Sequence, residues 1–399
     1  LQQAAGLFDR ILQQASNVAP AHNGLGLCHY GTGNQTAALQ AFETAIRCDP
    51  FFASAHINRG MVLRDMGRLD AALASMEKAV ALDPHNANAH SNRGMVLTEL
   101  QQPAAANACF DRCLQLDPNF PDVAGIRLLN KVHVCDWVNL EPEIMALLDA
   151  VRRGVRATPP WPLLAMTDDA ALKRQVMEQW IRAKCPEVPV LGPVKTYTGH
   201  QRIKLGYFSA DYHRHATAHL IAELFERHDR ARFEVIALSF GDDTGDDMQQ
   251  RIAAGCSRYL DVRTRSDREI AALARTLEID IAIDLKGFTL QNRIGIFAHR
   301  AAPIQVNYLG FPGTMGAPYM DYIMADDVVI PESHKQFYTE KVVNLPGSYQ
   351  CNDRKRAVSK RVYTRAEAGL PETGFVFCCF NNNFKILPGI FERWARIMN

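Results

Sequence analysis

From Leu1 to about Pro118, apolar and small side chains return every 34 residues. Phe8, Phe42, Met76 and Phe110 hold one such position, and Ala4, Ala38, Ala72 and Ala106 hold another. Gly26, Gly60 and Gly94 share a third, and Arg59-Gly60-Met61-Val62-Leu63 recurs as Arg93-Gly94-Met95-Val96-Leu97. Asp49-Pro50, Asp83-Pro84 and Asp117-Pro118 close successive units. Large and small residues at fixed offsets, with a proline where a helix cannot continue, predict two antiparallel helices per unit. Helical spacing persists in Ile126, Leu129 and Val132, then, after Trp137, in Ile144, Leu147, Leu148 and Val151, which predicts helices capping the array. Thr158-Pro159-Pro160-Trp161-Pro162 breaks the pattern, about 173–182 reads as helix, and 186–200 reads as a Pro- and Gly-containing linker. The domain boundary is expected near His200.

Beyond Arg202 the texture changes to short apolar runs, IKLGYFS, FEVIALS, IDIAIDL, PIQVNYL and YIMA. Helical patterns lie among them at Leu220–Arg227, Met248–Ala254 and Arg268–Leu277. Such alternation predicts βα units and a parallel sheet with helices on both faces. A further strand is predicted over Gly374–Phe380, then a loop Asn381–Lys385 and a helix from Pro388, as the first βα unit of a second sheet.

The 34-residue period with this residue pattern is that of tetratricopeptide repeats. Composition narrows the rest. The 399 residues allow two to three domains, and 47% hydrophobic with 22% charged residues fits a globular chain rather than a disordered or collagenous one. The formal net charge of +1 supplies no global field for nucleic acid or an anionic membrane, so neither partner is expected and any anion site must be local. Residues 1–118 carry eight Lys and Arg against ten Asp and Glu, which disfavours a basic groove in the repeats. Ten cysteines at scattered spacings, without a CxxC pair, read as core residues of a reducing, cytoplasmic compartment. No apolar run is long enough for a membrane span, and LQQAAGLFDR is no signal peptide. A start at Leu1 without Met is expected of a trimmed product of a longer gene.

Chemistry gathers at predicted strand ends, where open α/β sheets bind ligands. The first strand runs into Ser209-Ala210-Asp211-Tyr212-His213-Arg214-His215-Ala216-Thr217-Ala218-His219, three histidines in seven residues. His215 and His219 share a helix face as metal ligands would, but no further ligand motif accompanies them, and a general base or substrate contact fits better. Asp284 ends another strand, followed by Lys286, Gly287 and Thr289, and reads equally as an acid that orients a base or relays a proton, or as an acid capping its loop. The glycines of Leu309-Gly310-Phe311-Pro312-Gly313-Thr314-Met315-Gly316 would let backbone approach a ligand. No Asp-x-Asp occurs, which points to cationic side chains and helix termini for a leaving diphosphate. In the repeats, Asn58 and Asn92 occupy one position on the first helix, open either to peptide backbone or to plain solvent, with Gly24 one unit earlier. Between Cys351 and Arg365 six basic residues and one acid read as a solvated connector.

These features together resemble the O-GlcNAc transferases, in which tetratricopeptide repeats are fused to a two-lobed GT-B glycosyltransferase. The resemblance rests on Val134-Cys135-Asp136-Trp137, on Asp211, His215 and His219, on Ala302-Pro303-Ile304-Gln305 leading to Leu309-Gly310-Phe311-Pro312-Gly313-Thr314, on Met320-Asp321-Tyr322-Ile323, and on Phe380-Asn381 with Lys385. It implies a repeat solenoid over 1–130, capping helices and linker over 131–200, an N-terminal Rossmann-like lobe over 201–370, and over 371–399 the start of a C-terminal nucleotide-binding lobe, only begun in this chain. It further implies inverting, metal-independent transfer of GlcNAc from UDP-GlcNAc to protein Ser or Thr hydroxyls, with the sugar nucleotide a substrate and no cofactor. By the same resemblance His215 matches a proposed base and Lys385 the lysine that neutralises the departing diphosphate. Thr289, Leu309, Gly310 and Thr314 fall around the sugar, His219 beside them, and Asn382 stands where animal members have glutamine. The repeat groove, with Asn58 and Asn92, would hold the acceptor. A SPINDLY-type O-fucosyltransferase using GDP-fucose and a non-catalytic repeat scaffold remain the alternatives, His219 favouring GlcNAc over fucose.

Overall fold

The computed structural model describes residues 1–398. Helices α1 (Gln2–Gln14), α2 (Ala19–Gly31), α3 (Gln35–Cys48), α4 (Ala53–Asp65), α5 (Leu69–Leu82), α6 (Ala87–Glu99) and α7 (Pro103–Leu116) pair as α2/α3, α4/α5 and α6/α7. The glycine predicted as a small position explains the pairing: a Cβ at Gly26, Gly60 or Gly94 would run into Phe42, Met76 or Phe110 of the same unit. Those three large side chains have no solvent exposure, and each removal from water is worth about 1.5–3 kcal/mol. The Asp-Pro pairs work through the aspartate: Asp49, Asp83 and Asp117 accept the amide two residues on, at 2.9, 3.3 and 3.0 Å, turning the chain into the next unit.

A second repeated device escaped the sequence analysis. His22, His56 and His90 also recur at 34 residues, and the Nε2 of each donates to the carbonyl six residues earlier, Ser16, Pro50 and Pro84, at 2.8, 3.0 and 3.0 Å. The periodic spacing was the signal for it.

Helices α8 (Val123–His133), α9 (Leu140–Arg152) and α10 (Pro160–Leu164) follow. Gly125 of α8 lies so close to Thr158 that no larger residue fits. The compact unit they complete spans Leu1–Thr167 together with residues 381–398. Helix α16 (Pro388–Met398) belongs to it, its Phe391 ring 5.3 Å from that of Trp137, and in the turn before it the Phe384 ring lies 5.2 Å from that of His133.

The other unit, Asp168–Phe380, is a seven-stranded parallel sheet with its helices. In chain order it contains α11 (Ala170–Lys184), β1 (Ile203–Ser209), α12 (Ala216–Arg227), β2 (Phe233–Ser239), α13 (Asp247–Gly255), β3 (Arg258–Asp261), α14 (Asp267–Thr276), β4 (Ile281–Asp284), α15 (Gly295–Ala298), β5 (Ile304–Tyr308), β6 (Tyr322–Ala325) and β7 (Lys341–Asn344). The strand order is β3-β2-β1-β4-β5-β6-β7. Alternate residues Leu205 and Tyr207 of β1, Val235 and Ala237 of β2, and Val306 and Tyr308 of β5 join Ile221 and Phe225 of α12 in one core. On the opposite face, Phe208 meets Phe297 of α15 edge-on at 5.3 Å. Helix α14 starts in a capping box of Ser266 and Glu269.

Three differences from the sequence expectations have physical causes. Strands β3 and β7 were not predicted, because as sheet edges they carry only exposed and half-buried residues instead of forming an apolar run. The strand predicted over Gly374–Phe380 does not form: Phe375, Phe377 and Phe380 are 83%, 60% and 96% exposed. Extended backbone needs a ladder partner, and the described residues offer that segment none. Finally, the connector after Cys351 starts as an anchored segment. Arg251 binds the Asp353 carboxylate at 2.5 and 3.0 Å, Lys355 reaches Glu226 at 2.6 Å, and the Arg354 amide donates to Glu223 at 2.7 Å.

Candidate active site

The chain lays β2 and β3 on one side of β1 and then returns to place β4 on the other, so the topological switch lies between β1 and β4. Residues at and just past the carboxyl ends of these two strands therefore gather where such a sheet forms its ligand crevice. They are Asp211, Thr217 and His215 from β1, and Asp284, Lys286 and Thr289 from β4.

The Lys286 Nζ donates to both oxygens of Asp211, at 2.8 and 2.7 Å, and the two side chains are almost wholly buried. Asp211 also accepts the Thr217 hydroxyl at 3.3 Å, and its amide donates to the Ser209 hydroxyl at 3.0 Å. His215 is the N-cap of α12: its Nδ1 accepts the Thr217 amide at 3.2 Å, satisfying one of the helix's orphan donors. Its side chain remains 43% exposed, with Nδ1 3.6 Å from Asp211 Oδ2. Partial burial pushes the imidazole pKa below its ordinary value; Asp211 opposes that push, and Lys286, His213 and His219 add to it. His219 lies one turn further along α12, half-buried.

Asp284 is fully enclosed, and its carboxyl is pushed up to about 6 by burial, against the amides of Lys286 and Gly287, which donate to it at 2.9 and 3.2 Å. Both oxygens thus accept amides of the loop that follows β4. Thr289 closes the same loop, its hydroxyl donating to the Lys286 carbonyl at 2.8 Å.

The loop after β5 packs against the loop after β4. Leu309 is buried and holds a left-handed backbone with φ of 68°, a strained conformation for a leucine. Gly310 faces the Leu285 carbonyl, so its missing side chain serves close contact between the β4 and β5 loops. Thr314 turns inward: its hydroxyl donates to the buried Glu340 carboxyl at 2.7 Å and accepts the amides of Gly316 and Thr339 at 3.1 and 3.2 Å. Burial raises the pKa of Glu340.

Asn382 and Lys385 belong to the other compact unit. Asn382 caps a short turn through the Phe384 amide at 3.4 Å and, with Asn383, Thr98, Asn130 and His133, lines a polar cleft of about 540 Å³. Lys385 ends that turn and is exposed. In the repeats, Asn58 donates to Asn23 at 2.8 Å in a part-buried contact, and Asn92 donates to the carbonyl and side chain of Asn88 at 2.9 and 2.8 Å on the exposed surface. Among the described residues no cluster of three or more His, Cys, Asp or Glu side chains could hold a metal ion, and no helix is long and apolar enough to cross a membrane.

The pair missed by sequence reasoning is Asp211 with Lys286. Both residues stood in quoted motifs, but 75 positions separate them and only the β1/β4 pairing joins them.

Comparison with known proteins bears on this geometry. Residues 188–361 match the glycosyl transferase family 41 model, and tetratricopeptide models match residues 1–51, 41–74, 60–101 and 87–120. Over 288 residues the chain is 34% identical to the probable UDP-N-acetylglucosamine–peptide N-acetylglucosaminyltransferase SEC of Arabidopsis thaliana, covering 66% of this chain and 29% of that protein. It is 30% identical over 228 residues to the SPINDLY protein of Petunia hybrida, named as a probable enzyme of the same kind, covering 56% and 23%. Among solved structures, a mutant of the Thermobaculum terrenum O-GlcNAc transferase superposes with a TM-score of 0.58 at 25% identity, covering 96% of this chain and 66% of that one. The matched stretches thus span less than a third of the curated relatives' length.

Proposed function

From a chain that joins tetratricopeptide repeats to a family 41 glycosyltransferase segment and is homologous to the O-GlcNAc transferases, we propose a protein O-GlcNAc transferase that moves GlcNAc from UDP-GlcNAc to Ser or Thr hydroxyls with inversion. The observation that carries this reading is the exposed His215, held at the β1/β4 switch by the Thr217 amide beside a buried Asp211–Lys286 pair. It is a polar site built where a Rossmann-like sheet receives its ligand.

In this reading the sugar donor and the acceptor hydroxyl meet beside His215; by the family resemblance alone, Lys385 is the lysine that would neutralise the departing UDP. Asp284 and Thr289 fix the loop carrying Lys286, while Leu309 and Gly310 shape the neighbouring loop around the sugar. Thr314 contributes by bracing that loop on Glu340, and Asn382 by forming the turn that presents Lys385. The repeats bind the acceptor protein, with Asn58 and Asn92 on the helices that would face it. A cytoplasmic setting belongs to the same proposal, supported by cysteines scattered without a disulfide framework.

The donor is tested by incubating the full chain separately with UDP-GlcNAc, UDP-glucose and GDP-fucose and measuring nucleotide release with and without a Ser/Thr peptide. Peptide-dependent UDP release from UDP-GlcNAc is the expected result. Release from GDP-fucose alone would move the chain to the fucosyl branch, and release from none of the three would leave a scaffold.

A further inference from the structure

Asp211 is the carboxylate beside His215, yet it does not hold the ring. Its Oδ2 lies 3.6 Å from Nδ1, beyond hydrogen-bond length, while Lys286 engages both of its oxygens within 2.8 Å. Nδ1 instead faces the Thr217 amide at 3.2 Å. A backbone N–H can only donate, so Nδ1 there is the bare nitrogen, and the proton of the neutral ring sits on Nε2. A carboxylate released from its lysine needs to move less than an ångström to accept a hydrogen from Nδ1, and a ring so held carries its lone pair on Nε2.

We infer that Lys286, by holding Asp211, is a positioning residue that fixes His215 as the neutral Nε2–H tautomer, so that the ring offers a hydrogen-bond donor to the crevice. The titratable and charged groups around the ring are consistent with this. Asp211 and Lys286 face it from the β1 and β4 loops, the His213 ring lies 5.8 Å away, and His219 stands one turn along α12. Charge on Asp211, which would favour an imidazolium, is matched by Lys286 at short range. The consequence for catalysis rests on the transferase reading above: Nε2–H orients an oxygen of donor or acceptor.

The test reads the tautomer itself. The full chain, labelled with [15N]histidine, is followed by long-range proton–nitrogen correlation, and the His215 signals are identified by their loss in His215→Gln. The wild type is expected to show a bare Nδ1 and a protonated Nε2. In Lys286→Met the proton should move to Nδ1 and the titration midpoint rise by about one unit. The double variant Asp211→Asn/Lys286→Met, which removes both charges, should keep Nε2–H. A protonated Nδ1 in the wild type or in the double variant, or a Lys286→Met spectrum and midpoint equal to wild type, would overturn the inference. If Lys286→Met does not fold, the wild type and the double variant decide. No donor or acceptor is present in these samples. An Nε2–H ring in a protein without transferase activity would therefore uphold this inference while ending the functional reading.

Discussion

In the repeats, Phe42, Met76 and Phe110 each press on a glycine of their own unit, within a stretch of about 16 residues in sequence. In the sheet unit, Lys286 and Asp211 meet across 75 residues, and the crevice exists only once β1 and β4 lie side by side. The repeats therefore distribute their stability over near-identical local contacts. The sheet concentrates buried charge at one place, where a single loss leaves an ion without its partner. Reactivity is expected in the second region and surface for binding in the first.

The sharpest test of that contrast is Lys286→Met. It strands the Asp211 carboxylate in the interior and should cost about 3–5 kcal/mol of unfolding free energy in urea titrations. Removing both charges in Asp211→Asn/Lys286→Met should cost far less, and an equal loss in both variants would mean that packing, rather than charge, governs the site.

Phe110→Ala should cost a similar or slightly smaller amount, about 3–5 kcal/mol at its upper limit, but the loss should stay local. Hydrogen exchange should accelerate in α6 and α7 and leave β1 and β4 unchanged. Acceleration throughout the sheet unit would break the distinction between distributed and concentrated stability.

A smaller effect is expected from Asp284. Its folded pKa of about 6 lies above the ordinary 3.8, so the native state holds the proton more tightly than the unfolded chain. Its contribution is therefore favourable at low pH and is lost as pH rises from the lower value through the higher one, by an amount on the order of 3 kcal/mol or less. Asp284→Asn should flatten the fall in stability between about pH 4 and pH 6. A pH profile identical to wild type would show that the carboxyl is charged at no cost.

The same contrast governs how much could be read from sequence. The 34-residue recurrence made the solenoid legible because one packing solution is repeated, as Gly60 with Met76 and Gly94 with Phe110. The inner strands were legible as apolar runs, and the edges β3 and β7 were hidden by their half-exposed residues. His215 and Asp284 stood out as polar residues at strand ends. What joins His215 to Lys286 did not, because strand order is set by long-range pairing that no local pattern encodes. The glycine at position 310 was visible, but its reason, the Leu285 carbonyl, belongs to another loop.

The proposed sugar transfer, and the proposed part of Lys385 in it, are open to one direct test. The most direct measurement is the intact mass of a Ser/Thr acceptor peptide after incubation with UDP-GlcNAc and either the wild-type chain or Lys385→Ala. One added N-acetylhexosamine is expected with the wild type, and a rate about 10²–10³-fold lower with the variant. Equal modification by both proteins, or none by the wild type with any sugar nucleotide, would contradict the proposal.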